Sequence, residues 1–60
     1  MSMTTHILII EDDINLSTVL ADYLQDKGYV IDTATDGQEG WELVNKKHYD
    51  LLLLDIICLP

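Results

Sequence analysis

The chain has 60 residues, a net charge of −8 and a hydrophobic content of 48%. This length allows at most one small domain, and the hydrophobic content argues against a disordered chain. Only three residues are basic, which excludes direct binding to nucleic acid phosphates or to an anionic membrane surface. No apolar run reaches the length of a membrane span. The single cysteine, Cys58, excludes an internal disulfide, so a reducing, cytoplasmic location is expected.

The first predicted elements are a strand and a helix. Residues 7–10 form a short apolar run followed by acids, so residues 6–10 are predicted to form a strand buried on both faces. Asn15 or Asp13 is expected to cap the helix that follows, and Gly28 is expected to end it in a left-handed conformation. Apolar residues recur in this helix at three- and four-residue spacing, which is the period of an amphipathic helix: Leu16, Val19, Leu20, Tyr23 and Leu24.

Two more strands are predicted further along the chain. Residues 29–34 are expected to form the second strand, which the turn pair Asp36 and Gly37 closes. Residues 49–54 include four consecutive leucines and predict the third strand, which runs directly into Asp55.

A second helix is predicted between these strands, over residues 39–47. It is expected to bury Trp41, Val44 and Leu43, so Trp41 is interpreted as a core residue rather than a platform for a ligand. Gly40 lies inside the helix and is expected to weaken it by about 1 kcal/mol relative to alanine.

The predicted order is therefore β-α-β-α-β, which is half of a doubly wound α/β domain with parallel strands and right-handed crossovers. Ligands of such sheets bind beyond the carboxyl ends of the strands, where the winding direction reverses. With the strand order 2-1-3, this reversal falls between the first and third strands. Glu11, Asp12 and Asp13 follow the first strand and Asp55 follows the third, so these acids are expected to converge at one edge. Such crowding suits a site that binds a cation or does chemistry.

Four segments of the chain carry a family likeness: residues 7–13, Gly28-Tyr29, residues 34–37 and residues 49–55. Together they closely resemble bacterial response-regulator receiver domains, most of all those that precede winged-helix DNA-binding domains. The resemblance implies a truncated flavodoxin-like sheet, with residues 1–60 forming a partial receiver domain and the further half of an ordinary receiver absent. It implies a phosphorelay signalling module of a two-component system rather than an enzyme.

The resemblance also assigns roles to particular residues. Asp55 corresponds to the phosphoacceptor, and Glu11 and Asp12 correspond to the acidic pair that helps to hold Mg²⁺. By counting from Asp55, the backbone carbonyl of Ile57 is a further metal ligand. The implied phosphoryl donor is a phosphohistidine on a sensor histidine kinase or phosphotransfer protein. A carboxylate nucleophile beside hard oxygen ligands agrees with this chemistry.

One departure from the family pattern concerns the loop after Asp55. Pro60 lies five residues after Asp55, whereas receivers place a proline four residues after the acceptor. The metal-binding carbonyl is therefore assigned to either Ile57 or Cys58. Receivers also supply a hydroxyl residue and a lysine from their fourth and fifth strands, and the three lysines of this chain lie in or at the end of its two helices.

Other polar residues have structural interpretations. Asp13 is weighed equally as a helix cap and as part of the site, and Cys58 is interpreted as a small buried hydrophobe. His6 and His48 lie at strand starts, on the edge away from the acids, and are expected to be structural or exposed. The remaining acids singled out for solvated faces are Asp32, Asp36, Glu39 and Glu42.

The third strand has an unpaired outer edge in this prediction, and its leucines carry no charge that would discourage pairing with another chain. The isolated chain is therefore expected to be marginally stable or to self-associate through this strand. An alternative function follows: a non-phosphorylatable interaction fragment or decoy, which binds a kinase or pairs through the exposed third strand.

Overall fold

The computed structural model describes residues 4–54 and contains alternating strands and helices. Neither of the two helices in this part of the chain has the length and apolar character that crossing a membrane requires. The elements are β1 (His6–Ile10), α1 (Ile14–Asp26), β2 (Val30–Ala34), α2 (Gly37–Lys46) and β3 (Leu51–Leu54).

The three strands form one parallel sheet in the order β2-β1-β3, which confirms the predicted topology. β1 lies in the middle and pairs Ile7 with Ile31 of β2 on one side. On its other side it pairs Ile9 with Leu53 of β3. Because side chains alternate across a strand, the residues paired in this way share one face of the sheet.

The main core lies between α1 and one face of the sheet. Ile7, Ile9 and Ile31 are buried there, and one apolar side of α1 packs against them. Burying three such side chains contributes roughly 1.5–3 kcal/mol each. The partly buried residues around this cluster are Leu20, Ala21, Leu24 and Leu53.

The first helix begins and ends where the sequence predicts. Asp13 is the N-cap, and its carboxylate accepts hydrogen bonds from the backbone N–H groups of Asn15 and Leu16. Gly28 has φ of +100°, a conformation that glycine adopts without the steric penalty of a Cβ.

The second helix begins at Gly37, two residues earlier than predicted. Asp36 caps it by accepting a hydrogen bond from the Glu39 N–H at 2.8 Å. The carboxylate of Glu39 in turn accepts hydrogen bonds from the N–H and the hydroxyl of Thr35, both at 2.9 Å. These reciprocal bonds resemble a capping box and make the preceding turn part of the helix start. Asp36 and Glu39 are solvent-exposed, as predicted, but both have this structural role.

The buried side of α2 differs from the prediction. Gly40 is buried against β1, and a Cβ there would meet Cδ1 and Cγ1 of the Ile10 side chain. Trp41 is 67% exposed, so its assignment to the core is wrong; Val44 is also exposed, and only Leu43 is partly buried. The helix can approach the sheet closely at the glycine, and the next residue then points about 100° away around the helix.

The third strand is the least covered part of the sheet. It begins at Leu51 rather than Tyr49, and among the described residues its backbone lies close to β1 but to neither helix. Leu51, Leu52 and Leu54 are 48%, 44% and 53% exposed. Both helices lie mainly over the half of the sheet that β1 and β2 form, and within β3 only Leu53 packs against the core under α1.

Candidate functional site at the carboxyl edge of the sheet

The carboxyl ends of β1 and β3 lie side by side. Ile10, the last residue of β1, is the register partner of Leu54, the last residue of β3. On the other side of β1, the N–H of Glu11 donates to the carbonyl of Ala34 at 2.9 Å, which continues the pairing with β2. The geometric basis of the predicted site, two adjacent strands that end at one edge, is therefore confirmed for the described residues.

Glu11 and Asp12 are placed at this edge in different environments. Glu11 is 2% exposed, and its Oε2 accepts a hydrogen bond from the Asp13 N–H at 2.9 Å. Asp12 is exposed to solvent. A buried carboxylate held by the backbone is thus followed by a carboxylate that is open to a ligand.

Asp13 functions as a helix cap. Its Oδ1 lies 3.0 Å from the Asn15 nitrogen and 3.2 Å from the Leu16 nitrogen, which satisfies two of the N–H groups that a helix start leaves without partners. Of the two interpretations weighed for Asp13, the capping one is the one that these contacts support.

The donor set at this edge is suited to a hard divalent cation. Glu11 and Asp12 supply carboxylate oxygens, which are the ligands that Mg²⁺ prefers. Within residues 4–54 no group of three or more His, Cys, Asp or Glu side chains is arranged to hold a metal. The further predicted members of the site lie outside the described residues: Asp55, Ile57, Cys58 and Pro60.

A second polar cluster, at the amino edge of the sheet, was not predicted. Asp32 on β2 is only partly exposed, and its Oδ2 accepts hydrogen bonds from the Tyr49 hydroxyl at 2.6 Å and from Lys47 Nζ at 3.1 Å. The Tyr49 hydrogen bond is the main cause that lowers the pKa of Asp32. Burial, together with the Asp32 carboxylate, raises the pKa of Tyr49 to about 12. The expectation that Asp32 belongs to a freely solvated face is therefore wrong.

The two histidines lie at this amino edge as predicted, and both are exposed. Asp50 lies between them: His6 Nδ1 is 4.0 Å from one carboxylate oxygen, and His48 Nε2 is 3.7 Å from the other. The backbone of His6 also pairs with Asp50, since its N–H donates to Asp50 Oδ2 at 2.9 Å and its carbonyl accepts from the Asp50 N–H at 2.8 Å.

A charged residue inside a strand pattern is the signal by which this cluster could have been found. Asp32 interrupts the apolar run of β2 at a position that shares a face with Val30 and Ala34. An acid at such a position needs a polar partner, and Tyr49 is an amphipathic side chain long enough to provide one.

The fold and the acidic edge define the class of protein: a parallel α/β domain of the doubly wound type with carboxylates directly after its central strand, β1. The chain belongs to the response regulator receiver domain family, whose family model matches residues 7–60. This result confirms the resemblance on which the residue roles were assigned.

Several curated proteins are similar to the chain over most of its length. The probable transcriptional regulator ycf29 of Porphyra purpurea is 38% identical over 55 residues, which cover 92% of this chain and 26% of that protein. The transcriptional regulatory protein RprY of Bacteroides fragilis is 43% identical over 51 residues, covering 85% of this chain and 22% of the relative. The response regulator ArlR of Staphylococcus aureus is 42% identical over 53 residues, covering 88% and 24%.

The chain thus spans about a quarter of the length of the curated relatives it matches. No solved structure matches it.

Proposed function

We propose that the chain is a phosphoacceptor module, which takes a phosphoryl group onto Asp55 from a phosphohistidine of a sensor histidine kinase or phosphotransfer protein. The observation that carries the proposal is the pairing of Ile10 with Leu54. It brings the acids that follow β1 to the edge where β3 ends, and Asp55 is the residue bonded to Leu54.

The proposed transfer uses the carboxylate as a nucleophile. An oxygen of Asp55 attacks the phosphorus atom, so that a P–O bond forms while the P–N bond to the donor imidazole breaks and its electron pair stays on the nitrogen. Such transfers depend mainly on in-line positioning and on neutralising charge at the phosphoryl oxygens. The rest of the chain therefore has to orient Asp55 and bind the ion that balances this charge.

Glu11, Asp12, Asp55 and the backbone carbonyl of Ile57 are the residues proposed to hold Mg²⁺. When bound, the ion would neutralise negative charge on the transferred group. Glu11 and Asp12 differ in how far each is also needed for the fold. Glu11 is buried and hydrogen-bonded to the Asp13 N–H, whereas Asp12 is exposed. Asp12 is therefore the residue whose replacement should alter the Mg²⁺ requirement with the least damage to the fold.

Mass spectrometry after incubation with acetyl phosphate and Mg²⁺ tests the proposal. The chain is expected to gain one phosphoryl group, Asp55→Asn to gain none, and Asp12→Asn to need more Mg²⁺ for the same gain. Asp22→Asn is the matched control, because Asp22 is an exposed acid on α1 away from this edge. A gain that persists in Asp55→Asn, or that needs no divalent ion, would contradict the assignment.

The exposure of β3 favours a second candidate function. In this alternative the chain transfers no phosphate and is an interaction fragment or decoy that pairs through β3 or binds a kinase. Half-exposed leucines on an edge strand that pairs only with β1 among the described residues are open to pairing with another strand. Sedimentation over a range of concentrations should then show association that Leu52→Lys weakens and Val30→Lys, on β2, does not. A monomer at all concentrations would refute pairing through β3.

A further inference from the structure

The amino acid sequence of β3 does not by itself specify how the strand is aligned with β1. All four of its residues are leucine, so a shift by one residue exchanges one leucine face for another. Packing does not correct such a shift either, because only Leu53 is partly buried, against the core that Ile7, Ile9 and Ile31 form, and a shifted strand would place another leucine there. β2 differs in this respect, since a shift of its mixed sequence would move Asp32 to the face where Ile31 is now buried.

The contacts that distinguish one alignment from another lie just before β3. Asp50 forms two hydrogen bonds with the backbone of His6, one through its own N–H and one through its carboxylate. Tyr49 reaches past β1 to β2, where its hydroxyl donates to Asp32 at 2.6 Å. The carboxylate bond of Asp50 and the hydroxyl bond of Tyr49 depend on residue identity, and a shifted strand would not reproduce them, whereas the backbone N–H bond to His6 could be made by another residue.

We propose that Asp50 and Tyr49 are positioning residues, which fix the register of β3 against β1 and so determine where the carboxyl end of β3 lies relative to Glu11. A shift of one residue moves that end by roughly 3.3 Å along the sheet and turns the leucines of β3 to the opposite face. The consequence for phosphorylation rests on the proposed role of Asp55, whereas the register itself does not.

The size of the expected change in register preference follows from the hydrogen bonds that single substitutions remove. Asp50→Ala removes the carboxylate bond to the His6 N–H, and Tyr49→Phe removes the hydroxyl bond to Asp32. One net hydrogen bond changes an equilibrium about fivefold, so the double variant should lose a factor of roughly 25 in its preference for the native register.

Cross-strand NMR contacts measure this register directly. The native chain and Asp50→Asn, which keeps an oxygen that can accept from His6, should show only contacts between Ile10 and Leu54. The double variant should show a second set of β3 signals, with Ile10 in contact with Leu53. Contacts between Ile7 and Ile31 report separately that β1 and β2 remain folded.

If the double variant does not fold, the single variant Tyr49→Phe tests whether these residues fix the register. It should raise the shifted population about fivefold, whereas Tyr29→Phe, the matched control on an exposed tyrosine, should not. A single native set of Ile10 to Leu54 contacts in the double variant, or equal behaviour of the two Tyr→Phe variants, would overturn the proposal.

Phosphoryl gain, measured by mass spectrometry on the same samples, should fall in proportion to the shifted population. A native chain that gains no phosphoryl group would instead refute the proposed role of Asp55 and leave the NMR result on register intact.

Discussion

Gly40→Ala should destabilise the protein although alanine is the better helix former. Inside a helix this exchange ordinarily gains about 0.8–1 kcal/mol. At this position, however, the new Cβ would meet Cδ1 of Ile10 and would lie 2.9 Å from its Cγ1. Overpacking of this kind typically costs about 1–3 kcal/mol, because the Ile10 side chain or the whole helix must move.

Gly37→Ala is the matched control in the same helix. Nothing lies within 4 Å of the Cβ that this substitution would add, and among the described glycines only Gly28 has positive φ. Gly37→Ala should therefore stabilise the fold by about 0.4–1 kcal/mol. The two variants should differ by about 2 kcal/mol, or roughly 8–16 °C in Tm for a domain of this size.

Thermal unfolding followed by circular dichroism measures this difference, and a double-mutant cycle locates its cause. Ile10→Val removes Cδ1, the atom nearest the added Cβ, so the penalty of Gly40→Ala should shrink in that background. Two results would refute this reasoning: a Tm of Gly40→Ala at or above that of Gly37→Ala, or no coupling between positions 40 and 10 in the cycle. Either would mean that close packing of α2 on β1 is not the reason why glycine is required at position 40.

Three further predictions concern Asp32, Tyr49 and Asp13. Because the pKa of Asp32 is lowered from 3.8, its ionised carboxylate stabilises the fold above that pH. This stabilisation should be lost as the pH falls through the lowered pKa. Tyr49→Phe removes the main cause of the lowered pKa, so the free energy of unfolding should fall less steeply with decreasing pH in that variant. Because the pKa of Tyr49 is raised from 10.0 to about 12, the stabilisation of the fold by its protonated hydroxyl should be complete below pH 10 and lost between pH 10 and 12. Titration followed by tyrosinate absorbance should show one late step, which Tyr49→Phe abolishes. Asp13→Ala should cost about 1 kcal/mol in urea unfolding and Asp13→Asn much less, since asparagine also caps; equal losses would refute the capping role.

The sequence predicts the arrangement of the elements well because each signal is local. The apolar run of β1, the cap at Asp13 and the left-handed turn at Gly28 act within a few residues of themselves. Short crossovers between parallel strands then leave few possible topologies, and β2-β1-β3 is one of them. The adjacency of the Ile10 and Leu54 ends follows from this topology and needs no knowledge of side-chain packing.

Features that depend on contacts between distant residues are less predictable. The periodicity of α2 shows that the helix is amphipathic, but it does not show that Gly40 rather than Trp41 faces the sheet. That choice depends on Ile10, which lies 30 positions earlier in the sequence. The bond between Tyr49 and Asp32 likewise spans 17 positions, so neither residue's neighbours in the sequence reveal it.

The two outer edges of the sheet differ in a way that connects fold and function. β2 carries Asp32, whose charge is matched by Lys47 and which disfavours pairing with a foreign strand. β3 carries no charge, so its sequence opposes neither a shift in register nor association with another chain. The strand that leads into Asp55 is thus the one whose position is least determined by its own residues. Its alignment must come from the polar contacts of Asp50 and Tyr49 at its other end. Substitutions at the amino edge should therefore shift the carboxyl end of β3 relative to Glu11 without replacing any acid there.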